Sequence, residues 1–197
     1  MDSVCQRLVD VTAGRPLRAD ARRNRIRLLE VAETVFTAQG VDVPIEEVAR
    51  IAGVGVGTVY RHFPTKQDLV DAIVVERLRR LAEYAHSAAA QPDSAAALIE
   101  VIGLIMAEST VKKHLGADEP GIKKSPATEL VAADLRAAMA VLLSSAQTAG
   151  DIRPDLDVSD VMAIVYGLNA TSEYYGWDAS GRRRAIATVF EGVRPRG

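Results

Sequence analysis

Glycines, prolines and capping residues cut this chain at helix-length intervals, and between the cuts apolar residues return every third or fourth position. From Ala21 the series Ile26, Leu29, Val31, Ala32, Val35 and Phe36 runs to Gly40, which offers a left-handed stop. Pro44 suits a first helical turn, and Glu46 and Glu47 favour the positive end of a helix dipole, so a short helix is expected over about 45–52, ended by Gly53. Val56 to Phe63 reads as another, stopped by Pro64, and Thr65 can cap a long helix carrying Leu69, Ile73, Val74, Leu78 and Leu81. Strand-like alternation between hairpin turns is absent. The pattern is that of an all-α chain.

The second half continues in the same way after the break at Pro92-Asp93-Ser94. Leu98 to Ala107 is apolar on nearly all sides apart from Glu100, which predicts a helix buried in the middle of its domain. Gly116 to Lys124 is expected to be a loop. Ser125-Pro126 caps a helix with Val131, Leu135, Ala138, Met139, Leu142 and Ala146 on one stripe, running to Gly150. Asp157 or Ser159 opens a further helix from Val158 to about Tyr175, and Ser180 opens the last, with Ile186, Val189, Phe190 and Val193. These signals divide the chain into an arm over 1–20, a three-helix domain over 21–66 and a larger helical domain over 67–197.

Composition removes several classes of function. Cys5 is the single cysteine, so neither a disulfide framework nor a cysteine-rich zinc site can be built, and a reducing cytoplasmic setting is expected. Asp2, Arg7, Asp10 and Arg15 interrupt the start of the chain, and Pro92, Asp93 and Glu100 interrupt its longest low-charge run, so neither a signal peptide nor a membrane partner is expected. His62, His86 and His114 lack metal-ligand spacing, and no serine sits in a nucleophile elbow. An enzyme, a metal and a cofactor are therefore not expected. Charge is divided unevenly: residues 1–66 hold ten Lys/Arg against eight Asp/Glu, whereas 67–197 hold fourteen against eighteen. Six arginines and one acid, Asp20, fall between Arg15 and Arg27, which is either a solvated helix face or a surface for an anion.

The segment Ile45 to Phe63 is the most informative. A helix-turn-helix needs a small residue where its helices touch, a glycine four residues later for the left-handed turn, and apolar anchors that fix the crossing. Ala49, Gly53, Val54 and Val59 stand at those offsets, with Val48 and Phe63 completing a small core. The second helix then presents Val56, Gly57, Thr58, Tyr60, Arg61 and His62 on its outer face, of a size and chemistry suited to a major groove about 12 Å wide. Gly53-Val-Gly55-Val-Gly57 superficially matches a nucleotide-binding fingerprint, but a helix rather than a strand precedes it and no Lys-Ser/Thr follows.

From Gly40 to Leu69, and most densely over Val48-Ala49, Ala52-Gly53-Val54-Gly55, Gly57-Thr58-Val59-Tyr60, His62-Phe63, Lys66 and Leu69, the chain resembles the DNA-binding region of TetR-type regulators, over about residues 22–81. The resemblance implies that Thr58, Val56 and Gly57 approach bases and that Tyr60, His62 and Lys66 hold phosphates. Arg22, Arg23 and Arg25 would reach the flanking backbone. Pro44 stands where the family often has Thr, and Gly55 where it often has Ser or Thr, so backbone N–H groups at the helix starts are expected to take over there.

One recognition helix reads too few base pairs, so such modules act as two-fold dimers on half-sites about 34–36 Å apart. The last two helices are the expected homodimer surface, through Val161, Val165, Gly167, Leu168, Ile186, Val189 and Phe190. The resemblance further implies a repressor released from double-stranded operator DNA by a small-molecule effector in the second domain, with Glu100, Met106, Met139, Tyr166, Asn169 and Glu173 as candidate pocket residues. The rival reading is a helical ligand-binding or adaptor protein without DNA binding.

Overall fold

The computed structural model describes residues 23–114 and 125–194. Arg22, the arm over 1–20 and the loop over 116–124 lie outside the described residues. All regular structure among the described residues is helical: α1 (23–39), α2 (Ile45–Ala52), α3 (Val56–His62), α4 (Lys66–Ala88), α5 (Ser94–His114), α6 (Pro126–Ala149), α7 (Val158–Tyr174) and α8 (Ala179–Gly192). The chain divides into two compact units after Ile73, inside α4 rather than at its start.

In the first unit, Leu28, Leu29, Ala32, Val35 and Phe36 bury one face of α1, and Phe36 is wholly inaccessible. Burial of a side chain of that size stabilises by about 1.5–3 kcal/mol. Ile45, Val48, Ala49 and Ala52 are buried on α2, Val59 on α3, and Leu69, Val70 and Ile73 on the first turns of α4. Gly53 adopts φ 69°, which lets the Val54 N–H bond the Ala49 carbonyl at 3.0 Å and the Gly53 N–H bond that of Arg50 at 3.2 Å. Thr65 and Asp68 cap α4 reciprocally: the Asp68 N–H donates to the Thr65 hydroxyl at 3.1 Å and the Thr65 N–H to the Asp68 carboxylate at 2.9 Å. Pro44 is the N-cap of α2, one position before the first turn that the sequence suggests.

In the second unit α5 packs against α6, α7 and α8. Its buried residues Leu98, Val101, Ile102, Ile105 and Met106 meet a core that includes Leu135, Met139 and Leu142 of α6 and Val161 and Val165 of α7. The expectation of a helix buried in the middle of its domain needs correction in one respect: α5 meets three helices, but Leu104 and Ala107 are exposed as well as Glu100. Periodicity registers which side chains are apolar, not whether another element covers them. Arg77 of α4 forms a two-pronged ion pair with Glu108 of α5, at 2.5 and 2.8 Å. His86 of α4 stands 3.1 Å from Asp134 of α6. Ser125 caps α6, and Asp157 and Asp160 form a capping box on α7. Asp178 caps α8, so Ser180 falls inside the first turn instead of opening it.

Candidate nucleic-acid interface

The α2–α3 pair leaves one side of α3 uncommitted. Val59 is 0% exposed and points with Val48, Ala49 and Phe63 into the core, so the rest of α3 must turn outward. Gly57, Arg61 and His62 are exposed, Tyr60 is 42% exposed, and Val56 and Thr58 are partly exposed. Gly55 and Pro44 make no side-chain capping bond, so the starts of α3 and α2 keep backbone N–H groups without an intrahelical partner. A Cβ at Gly57 would meet nothing within 4 Å, so the surface is bare over its first turn.

Cations border this face. Lys66, the first residue of α4, holds its ammonium 5.8 Å from the centre of the Phe36 ring, and the Arg25 guanidinium of α1 lies 5.2 Å from that of Phe63. Among the described residues no carboxylate pairs with Arg25, Arg61 or Lys66. Arg50 is different: Glu47 accepts from it at 2.6 and 2.8 Å, and this bond holds the Glu47 carboxyl below its ordinary range. Arg23 is exposed on α1. The arrangement is a small hydroxyl-bearing face edged by positive charge, which suits a polyanion whose groove admits one helix.

The comparisons bear on the same segments. Residues 28–73 match the family model of bacterial regulatory proteins of the tetR family, ending where the first compact unit ends. Residues 93–195 match the model of the SbtR-like transcriptional regulator C-terminal domain. The crystal structure of a TetR transcription regulatory protein from Mycobacterium vanbaalenii is 37% identical, with a TM-score of 0.72 over 91% of this chain and 100% of that one. The chain belongs to the TetR family of bacterial transcriptional regulators. The TetR regulator SCO0520 from Streptomyces coelicolor is 28% identical, with a TM-score of 0.67 over 88% of this chain and 99% of that one. An HTH-type transcriptional regulator of Staphylococcus aureus (strain USA300) is 43% identical over 54 residues, 27% of this chain and 29% of that protein.

In this TetR-family chain Val56, Gly57, Thr58, Tyr60, Arg61 and His62 share α3, with Gly55 at its start, Lys66 opening α4 and Arg25 over Phe63; Pro44 starts α2, Arg23 is exposed on α1, and Arg22 is not described. The candidate pocket residues do not gather. Met106 and Met139 are 1% and 0% exposed in the core, whereas Tyr166 is 56% exposed on α7 and Asn169 bonds Glu173 one turn along at 3.4 Å. Only Glu100 of that set borders the large cavity of the second unit, about 700 Å³ between α5 and α8. Gly103, Asp151 and Glu191 also line it and were not anticipated. A glycine in the middle of an apolar helical run was the signal available for the first of them.

The residues expected at a dimer surface divide as well. Val161 and Val165 are 7% and 1% exposed and face the chain's own core, with Leu168, Val189 and Phe190 around a void of about 20 Å³. Ile186 is buried against the larger cavity. Gly167 is exposed, on a stripe of α7 that also presents Ala163, Tyr166, Ala170 and Tyr174. No helix among the described residues is long and apolar enough to cross a membrane.

Proposed function

We propose that this protein is a sequence-specific, operator-binding repressor that acts as a homodimer and leaves its operator when a small molecule occupies the second unit. The observation that carries the reading is on α3, where Val59 is sealed in the core while Thr58 and Tyr60 on either side of it reach solvent. A helix anchored by one residue and bare on its opposite side can enter a major groove without unfolding anything. In this reading Val56, Gly57 and Thr58 read base edges, and Tyr60, Arg61, His62, Lys66, Arg25, Arg23 and Arg22 hold the phosphate backbone, helped by the backbone N–H groups that follow Pro44 and Gly55 at the starts of α2 and α3.

Dimerisation is assigned to the last two helices. The α7 stripe of Ala163, Gly167 and Ala170 flanked by Tyr166 and Tyr174 lets a second backbone approach and offers aromatic area to cover. Release by an effector requires that the ligand bind one arrangement of the dimer better than another, a coupling of about 1–3 kcal/mol.

Selection of bound duplexes from random DNA, followed by binding titrations across salt, tests this reading. A selected palindromic site with affinity that falls steeply as salt rises is expected. A protein that recovers no consensus and shows no salt-dependent binding is instead the helical adaptor.

A further inference from the structure

Helix α5 is committed to the core through Leu98, Val101, Ile102, Ile105 and Met106, yet another of its faces opens away from that core. Ile99, Gly103 and Leu104 form one wall of the 700 Å³ cavity, and Ile186 and Phe190 of α8 form the other, with Ile152 from the α6–α7 turn between them. That volume is in the range that takes a drug-sized molecule. Gly103 is the notable residue. A glycine in mid-helix weakens the helix, and here no close approach of another backbone calls for it, because a Cβ would meet nothing within 4 Å. The space its missing side chain leaves is part of the cavity.

The charges around this apolar floor are unequal. Asp93, Glu100, Asp151 and Glu191 border it against Arg183 and Arg194. The Asp93 carboxylate accepts the Ala96 N–H at 2.8 Å, and Glu100 accepts the Tyr84 hydroxyl, which pushes the Tyr84 pKa up; neither bond discharges the carboxylate. Among the described residues Asp151 and Glu191 have no ion-pair partner. The Arg153 N–H donates to the Val193 carbonyl at 3.0 Å, so the turn that carries Asp151 is fastened to the end of α8 that carries Glu191.

We propose that this cavity binds an amphiphilic cation, its apolar body lying along Ile99, Leu104, Ile186 and Phe190 and its positive head meeting Asp151 and Glu191. Both carboxylates are exposed at the edge of the cavity, so the head gains their attraction while keeping part of its water. The assignment of a ligand class to the cavity stands on these residues alone; its role as effector site rests on the repressor reading above.

Calorimetric titration of the full chain with decyltrimethylammonium and decanoate below their micelle concentrations, and with decanol below its solubility limit, tests it. Saturable one-site binding of the cation, at least tenfold tighter than of either other probe, is expected. Gly103→Leu fills the cavity and removes that binding, while the double variant Asp151→Asn/Glu191→Gln weakens the cation at least tenfold and leaves decanol unchanged. Should Gly103→Leu lose helicity, the charge variant decides alone. Equal affinity for the three probes, preference for decanoate, or cation binding unaltered in the charge variant overturns the proposal. So does a Gly103→Leu protein that binds the cation normally but no longer dimerises, since the groove then belongs to a second copy. Operator binding is followed on the same samples: cation binding without operator release removes only the effector role, and failed cation binding with intact operator binding removes only this inference.

Discussion

The guanidinium of Arg25, near the start of α1, rests 5.2 Å from the centre of the buried Phe63 ring at the end of the helix-turn-helix. An exposed cation held over an aromatic face gains about 0.5–1 kcal/mol and loses less freedom when a phosphate arrives, because its position is already set. Arg25→Ala is expected to weaken binding to every DNA sequence alike while costing the fold no more than about 1 kcal/mol. Parallel affinity and urea-unfolding measurements check this, and a change in sequence preference would place Arg25 at base edges instead.

Gly53 supplies the turn between α2 and α3 at φ 69°, with nothing near enough to clash with a Cβ. The cost of Gly53→Ala is therefore that of the left-handed backbone alone, about 1–2 kcal/mol. Gly53→Asn should cost less, since asparagine tolerates that region better. The order Gly, Asn, Ala in chemical denaturation is the readout.

Arg77 and Glu108 form an ion pair whose side chains are only 14% and 20% exposed. Truncating either partner leaves the other charge poorly solvated, so Arg77→Met and Glu108→Leu are each expected to destabilise by about 2–3 kcal/mol. The double variant should cost clearly less than the two together, because neither charge is then stranded. A double-mutant cycle with no coupling would contradict this.

Asp178 caps α8, accepting the Gly181 N–H at 2.7 Å and the Ser180 hydroxyl at 2.9 Å, and these bonds, the backbone one foremost, hold its carboxyl below the ordinary value. A group whose pKa is lowered by folding stabilises the protein above its unfolded pKa and loses that contribution as pH falls through the folded value. Melting temperature should therefore drop on acidification below about pH 4, the usual carboxylate range. Asp178→Asn should lose that part of the drop while keeping a cap, and Asp178→Ala should lower the melting temperature already at neutral pH.

The helix-turn-helix was legible in the sequence because its determinants are local: Gly53, Thr65 and Val59 each act within one or two turns. The second unit was less so. On α7, Val161 and Val165 form one apolar stripe and Ala163, Tyr166 and Ala170 another, and only the partners in space decide that the first is core. Met106 and Met139 suggested a pocket by chemistry but fill the interior, whereas Asp151 and Glu191 reach the cavity from a turn and from a distant helix, a meeting that no periodicity records.

The central claim is that the outer face of α3 reads bases while its border holds phosphates. Affinity measured across a salt series on a selected and a scrambled duplex tests it, for the native chain, Lys66→Ala and Thr58→Ala. The account predicts that Lys66→Ala lowers affinity on both duplexes and flattens the log–log salt slope by about 1, and that Thr58→Ala keeps the slope but narrows the difference between the duplexes. If the two variants behave alike, or if affinity does not respond to salt, the placement of the recognition face is wrong.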